Sequence, residues 1–109
     1  MRMLLNHIVY QGSGQSLNRV VVDDTLSDAH TIDTINLDGR DAIIAGFRGK
    51  PYGVYLYRFR GTKWDRQILD EGGVSAASCA TADLDQDGKP EIASIGQATH
   101  NLVLWHVWP

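Results

Sequence analysis

DLDQDGKPE (83–91) lies between two runs of small and apolar residues, SAASCATA (75–82) and IASIG (92–96). Three aspartates alternate at 83, 85 and 87, and Gly88 and a further acid, Glu91, follow. Like charges this close repel, so the loop is unfavourable unless something offsets the charge. Alternating carboxylates at positions 1, 3 and 5 of a tight loop converge on one point. Glycine at position 6 allows the sharp turn, and a carbonyl at 7 with a carboxylate at 9 closes a shell of hard oxygen donors, which suits Ca²⁺ better than a transition metal. The ligands read in this way are Asp83, Asp85, Asp87, the Lys89 carbonyl and Glu91. An EF-hand loop starts alike but needs a bidentate glutamate at position 12 and flanking helices. Position 12 here is Ser94, and the flanks read as strands. The competing reading is a solvated acidic turn, since Asp and Gly favour turns in any case.

The loop belongs to a repeat. NRVVVDD (18–24) matches DRQILDE (65–71) at an offset of 47, with Arg19 on Arg66 and Asp23 on Asp70. The same offset carries Asn36-Leu37-Asp38 onto Asp83-Leu84-Asp85. Beyond that point Asp41 aligns with Glu91 and Gly46 with Gly96 at an offset of 50, and Tyr57 aligns with Trp105 at 48. Periods in this range belong to propeller blades or to pairs of helices. GVYLYRF (53–59) and NLVLWHV (101–107) alternate between faces and are rich in β-branched and aromatic residues, which decides for strands. RGTK (60–63) and GSGQS (12–16) carry turn chemistry between them.

These segments predict an all-β chain of β-propeller blades, each a four-stranded antiparallel sheet, with about two blades plus extra strands. Within a single propeller segment spanning 1–109, residues 4–24 form a partial blade (strands C and D). Residues 29–69 form a complete blade, and 76–107 form a second partial blade (strands A to C). The first acidic loop, NLDGRD (36–41), lacks the position-5 acid and is three residues shorter, so Asn36, Asp38 and Asp41 make at most a weaker second metal site.

The chain is otherwise of ordinary globular composition: 43% hydrophobic and 21% charged residues, with a net charge of −3. That balance offers no attraction to nucleic acid or to an anionic membrane. No apolar run approaches the roughly 20 residues needed to cross a bilayer, and the N-terminal stretch does not read as a signal peptide. The single cysteine, Cys79, excludes an internal disulfide and is expected to be a buried, inert thiol.

Strand–DxDxDG–strand units repeating near this period resemble the FG-GAP/VCBS repeat family. ADLDQDGKPEIASIG (82–96) carries the resemblance most specifically, and INLDGRDAIIAGFRG (35–49) is a shortened version. The resemblance implies a β-propeller with Ca²⁺ loops between the first two strands of a blade, closed by more blades than this chain supplies. It also implies an extracytoplasmic setting. VVDDTLSDAH (21–30) with AGFRGKPYGVYLY (45–57) further resembles the propeller part of aldos-2-ulose dehydratase-like proteins, a lyase group acting on oxidised sugars.

The leading expectation is a non-catalytic module that binds a protein or carbohydrate partner, with no nucleic acid or membrane partner. Its missing strands would be supplied by self-association, head to tail, or by further blades of a parent chain. The alternative is a sugar lyase or isomerase site at one end of the propeller axis, drawing on His30, Arg48, Tyr52 and His100 at strand ends. Each of these residues also has an ordinary role as a strand-end or solvated loop residue. Trp64 and Trp105 fall at strand positions where packing between blades is the default.

Overall fold

The computed structural model describes residues 7–13, 16–26 and 28–107, and side chains from residue 16 onward. Nine strands run through these residues: β1 (His7–Ser13), β2 (Ser16–Asp23), β3 (Ala29–Leu37), β4 (Arg40–Phe47), β5 (Gly53–Phe59), β6 (Trp64–Glu71), β7 (Ala76–Ala82), β8 (Glu91–Gly96) and β9 (Asn101–His106). They form three antiparallel sheets in which chain neighbours are sheet neighbours: β1-β2, β3-β4-β5-β6 and β7-β8-β9. This is one complete four-stranded propeller blade between a two-stranded and a three-stranded sheet.

The first hairpin departs from the expected boundaries. GSGQS was read as turn from residue 12, yet the ladder continues to Ser13 opposite Ser16. Antiparallel pairing satisfies backbone donors and acceptors until the turn itself intervenes, and here it extends through Gly12 and Ser13. Residues 4–6, where the first strand was expected to begin, lie outside the described residues.

Two apolar layers hold the sheets together. On one face of the complete blade Ile35, Ala42, Ile44, Val54 and Leu56 meet Val74, Ala76, Cys79, Ile92 and Val107 of the next unit. On the other face Ile43, Ala45, Phe47, Tyr55 and Tyr57 meet Val22 and Leu26. The central strands β4 and β5 are covered on both sides, so IIAGF and VYLY read as unbroken apolar runs. Gly46 lets two blades approach closely: a Cβ there would lie 2.6 Å from the Ala76 Cβ. Any side chain at 46 would push β7 away from β4.

The repeat extends to irregularities. The register shifts between Ala29 and Thr31 on β3, and between Ala76 and Ser78 on β7, 47 residues later. Both shifts lie at the start of a blade's first strand, so they bend each unit at the same place.

Candidate functional site

The acidic loop spans 83–90, between β7 and β8. Backbone N–H groups tie it together. Asp83 accepts from Asp87 N at 3.1 Å and from Gly88 N at 2.8 Å, and Asp87 accepts from Lys89 N at 2.8 Å. Gln86 and Gly88 have left-handed φ values of 62° and 87°, which turn the chain so that alternate side chains face inward. Asp83, Asp85, Asp87 and Glu91 each place one carboxylate oxygen within 4.8 Å of the others.

The charges act on one another. Lost hydration, and then the hydrogen bond to Asp87 and the charges of Asp87 and Glu91, lift the Asp85 carboxyl above its ordinary value. The Lys89 N–H is the main cause that holds the Asp87 carboxyl below its own. Glu91 is only 2% exposed. Its Oε2 accepts from Leu84 N at 2.7 Å, and its Oε1 lies 3.4 Å from His106 Nδ1. His106 enters a second convergent group with Asp85 and Glu91, an approach from β9 that the sequence did not signal. All four carboxylates offer hard oxygens at one point, a donor set that fits Ca²⁺.

Sheet register corrects the repeat alignment at this point. Ile35 faces Ala42 across β3 and β4, and Ala82, 47 residues after Ile35, faces Glu91 across β7 and β8. Glu91 therefore corresponds to Ala42, not to Asp41, and the offset on this strand is 49, not 50. Glu91 stands where the complete blade has the apolar Ala42, and the loop's own Leu84 N–H, not a further blade, meets its carboxylate. The first loop has no counterpart to it.

That first loop is a two-residue hairpin. Asp38 and Gly39 have φ values of 53° and 82°, and the ladder runs up to Leu37 opposite Arg40. The Asp-Gly pair suits a tight turn with two left-handed residues. Asn36 Nδ2 donates to Asp41 Oδ1 at 3.0 Å, and Asn36 Oδ1 accepts from Gly39 N at 3.1 Å. The hairpin's own bonds thus engage Asn36 and Asp41, while Asp38 is exposed at the tip.

The strand-end residues occupy separate settings. His30 is exposed beside the β3 register shift. Arg48 donates to Gln97 Oε1 at 2.9 Å, across to the next blade. The Tyr52 carbonyl accepts from Gly72 N at 2.7 Å. His100 is exposed in a turn with a φ of 52°. Among the described residues no hydrogen bond or ion pair joins any two of these four. Trp64 packs against the layer around Phe47 and Tyr55, and Trp105 against the layer around Ile92.

A polar cluster that sequence reasoning missed lies between the first hairpin and the complete blade. Asp23 Oδ2 accepts from Tyr57 Oη at 2.8 Å and from Arg66 Nη1 at 3.1 Å, while Thr25 binds its Oδ1 through both N and Oγ1. The Arg66 guanidinium also lies 5.3 Å from the centre of the Tyr55 ring. The signal available was the match of Asp23 with Asp70, which accepts from Gly73 N and Val74 N after β6. Both aspartates hold the chain as it leaves the last strand of a blade.

The FG-GAP-like repeat family matches residues 35–94, from the end of β3 through β7 and the acidic loop into β8. No curated protein and no solved structure matches the chain. Strand order, blade-on-blade packing and the loop between the first two strands of a blade agree with that match, and the chain belongs to the FG-GAP repeat family.

Proposed function

We propose that the chain is a non-catalytic propeller segment that binds Ca²⁺ in the 83–91 loop and presents its blades as a scaffold for binding. The convergence of four carboxylate oxygens within 4.8 Å carries this reading. Asp83, Asp85, Asp87, the Lys89 carbonyl and Glu91 are the ligands. The ion supplies positive charge that offsets the repulsion now felt by Asp85, and it locks the base of β8 to the loop through Glu91. Thermal unfolding in calcium and in chelator tests the proposal. At a hundredfold excess over the dissociation constant, Ca²⁺ adds about 2.7 kcal/mol by mass action. Equal melting temperatures in the two conditions would refute it.

Assembly belongs to the same proposal. Val54 and Leu56 are fully buried under the third sheet. Tyr57 faces Ile43 and Trp105 faces Ile92, so β9 follows β5 at an offset of 48. Leu102 and Leu104 then take the places of Val54 and Leu56, yet they are 72% and 48% exposed. The apolar face that receives a blade inside the chain is thus repeated on the third sheet, and among the described residues nothing covers it. At the near end Leu17 and Val21 of β2 are exposed as well. We assign this far face to the β1-β2 hairpin of a second copy, head to tail, since the two ends repeat the surfaces that pack within one chain.

A further inference from the structure

Asp85, Glu91 and His106 form a second convergent group beside the four carboxylates, each with one ligand atom within 4.8 Å of the other two. Glu91 and His106 stand opposite each other in the β8-β9 ladder, so the backbone sets their side chains next to one another. Burial orders the group from floor to mouth. Glu91 is enclosed, the His106 side chain is half exposed and Asp85 is exposed. An ion reaches the group from solvent, past Asp85 and His106, and meets Glu91 last.

The contact between the two ladder partners has a telling length. His106 Nδ1 lies 3.4 Å from Glu91 Oε1. A charge-assisted N–H···O bond between such groups is about 2.7 to 2.9 Å long. Two neighbouring ligands of a tetrahedral ion, with bonds of about 2.0 to 2.1 Å, are about 3.3 to 3.4 Å apart. The pair is spaced as two such ligands are, and Asp85 brings a third donor. Glu91 Oε2 meanwhile accepts from Leu84 N at 2.7 Å, which fixes the carboxylate with Oε1 toward His106.

The donor chemistry differs from that of the calcium set. One imidazole nitrogen and two carboxylate oxygens suit a borderline divalent ion, whereas Ca²⁺ takes oxygen ligands. Three protein ligands of these types, with water in the fourth position, are a familiar zinc arrangement. We propose that Asp85, Glu91 and His106 form a Zn²⁺ site that shares two ligands with the calcium loop. Because Asp85 and Glu91 serve both ions, each ion excludes the other. Asp83 and Asp87 belong to calcium alone, and His106 to zinc alone.

Calorimetric titration of the intact chain with zinc chloride and with calcium chloride, in a buffer that does not chelate, tests it. Zinc should bind at one equivalent and displace bound calcium. Two variants divide the ions. His106→Phe should lose zinc affinity by at least about a hundredfold, more than the loss of a supporting contact around a metal costs, and should keep calcium affinity. Asp87→Asn should weaken calcium and keep zinc. The wild-type chain supplies a measure that needs no variant: zinc should shift the ring resonances of His106 in NMR and leave those of His30 and His100 in place. No zinc binding, unchanged zinc affinity in His106→Phe, ring shifts at the other histidines alone, or both ions bound together at full affinity would overturn the proposal. The calcium reading fails separately. Zinc binding that depends on His106, with no calcium binding at all, would sink the calcium set and keep this site; calcium binding without zinc binding would do the reverse.

Discussion

Tyr57 donates its hydroxyl hydrogen to Asp23 Oδ2 across 2.8 Å, joining the third strand of the complete blade to the end of the hairpin before it. Burial alone would raise the Asp23 carboxyl, but the bonds from Thr25, Tyr57 and Arg66 outweigh it and hold the group below its ordinary value. The Asp23 side chain is 7% exposed and Arg66 is 39% exposed, so the arginine is the wetter partner and the tyrosine contact the drier one. Burial, followed by the bond to Asp23, pushes the Tyr57 hydroxyl well above its normal range, so it remains a donor at any ordinary pH.

Removing either partner should loosen the first hairpin. Tyr57→Phe deletes one donor and should cost about 1 to 1.5 kcal/mol in urea unfolding. Asp23→Ala removes the carboxylate that accepts from the Tyr57 hydroxyl and from Arg66, which keeps Thr25 Oγ1 at 3.1 Å, and should cost more, about 2 to 3 kcal/mol. The pH dependence has a definite sign. Because the folded value lies below the unfolded one of 3.8, the stabilisation is complete above that value and is lost as pH falls through the folded value. The stability gap between wild type and Asp23→Asn should therefore be widest at neutral pH and shrink under acid. A gap that stays constant from neutral to acid would show that the carboxylate charge contributes nothing.

The acidic loop yields a pair of contrasts. Asp85→Ala should abolish the stabilisation by calcium, while Asp38→Ala, at the tip of the clipped hairpin, should leave it intact. Glu91→Gln separates structure from charge. The amide oxygen can still accept from Leu84 N, so metal-free stability should change by less than about 1 kcal/mol while calcium affinity drops. Calorimetric titration on the three variants checks all of this. Full calcium binding by Asp85→Ala would mean that the loop does not coordinate the ion as assigned.

The strand order and the loop were legible because both are written locally. GVYLYRF and NLVLWHV alternate within themselves, and DLDQDG brings its acids together within one turn. The equivalence of Glu91 with Ala42 was not legible, since it depends on which residue faces Ala82 across the ladder. A strand slipped by one residue keeps its composition but exchanges its faces. The Asp23 cluster was hidden for a related reason. Its members are 34 and 43 residues apart and meet only when the hairpin stacks on the blade.

Cys79 offers a probe of that stacking. Its thiol faces the layer between the complete blade and the third sheet, 3.3 Å from Ser94 Oγ, and burial raises it above its ordinary value. A buried, protonated thiol reacts only when the structure opens. A disulfide reagent at neutral pH should therefore label Cys79 slowly in buffer and quickly in denaturant. Calcium should slow the labelling further by holding β8 in place. Prompt labelling in buffer would place the opening of the third sheet at low cost and contradict the packing around Ile92.

The exposed far face sets the last expectation. Leu102 and Leu104 stand where the complete blade buries Val54 and Leu56, with Ile95 also exposed on the neighbouring strand. Covering a leucine of this kind stabilises by about 1.5 to 3 kcal/mol, which gives blade-on-blade contact between copies a substantial driving force. A head-to-tail contact closes into a ring where rotation permits and grows into a filament where it does not. Light scattering on the purified chain should therefore report a mass above that of one copy, rising with concentration. Leu104→Asp puts a charge in the centre of the contact and should return the chain to a single copy, while its melting temperature at low concentration stays nearly unchanged, because the side chain is already half in water. Leu17→Asp on β2 should have the same effect from the opposite end. A wild-type chain that remains a monodisperse single copy at high concentration would exclude the second copy as occupant. If adding a separately expressed neighbouring blade then buried Leu104, the face would belong to a longer propeller instead.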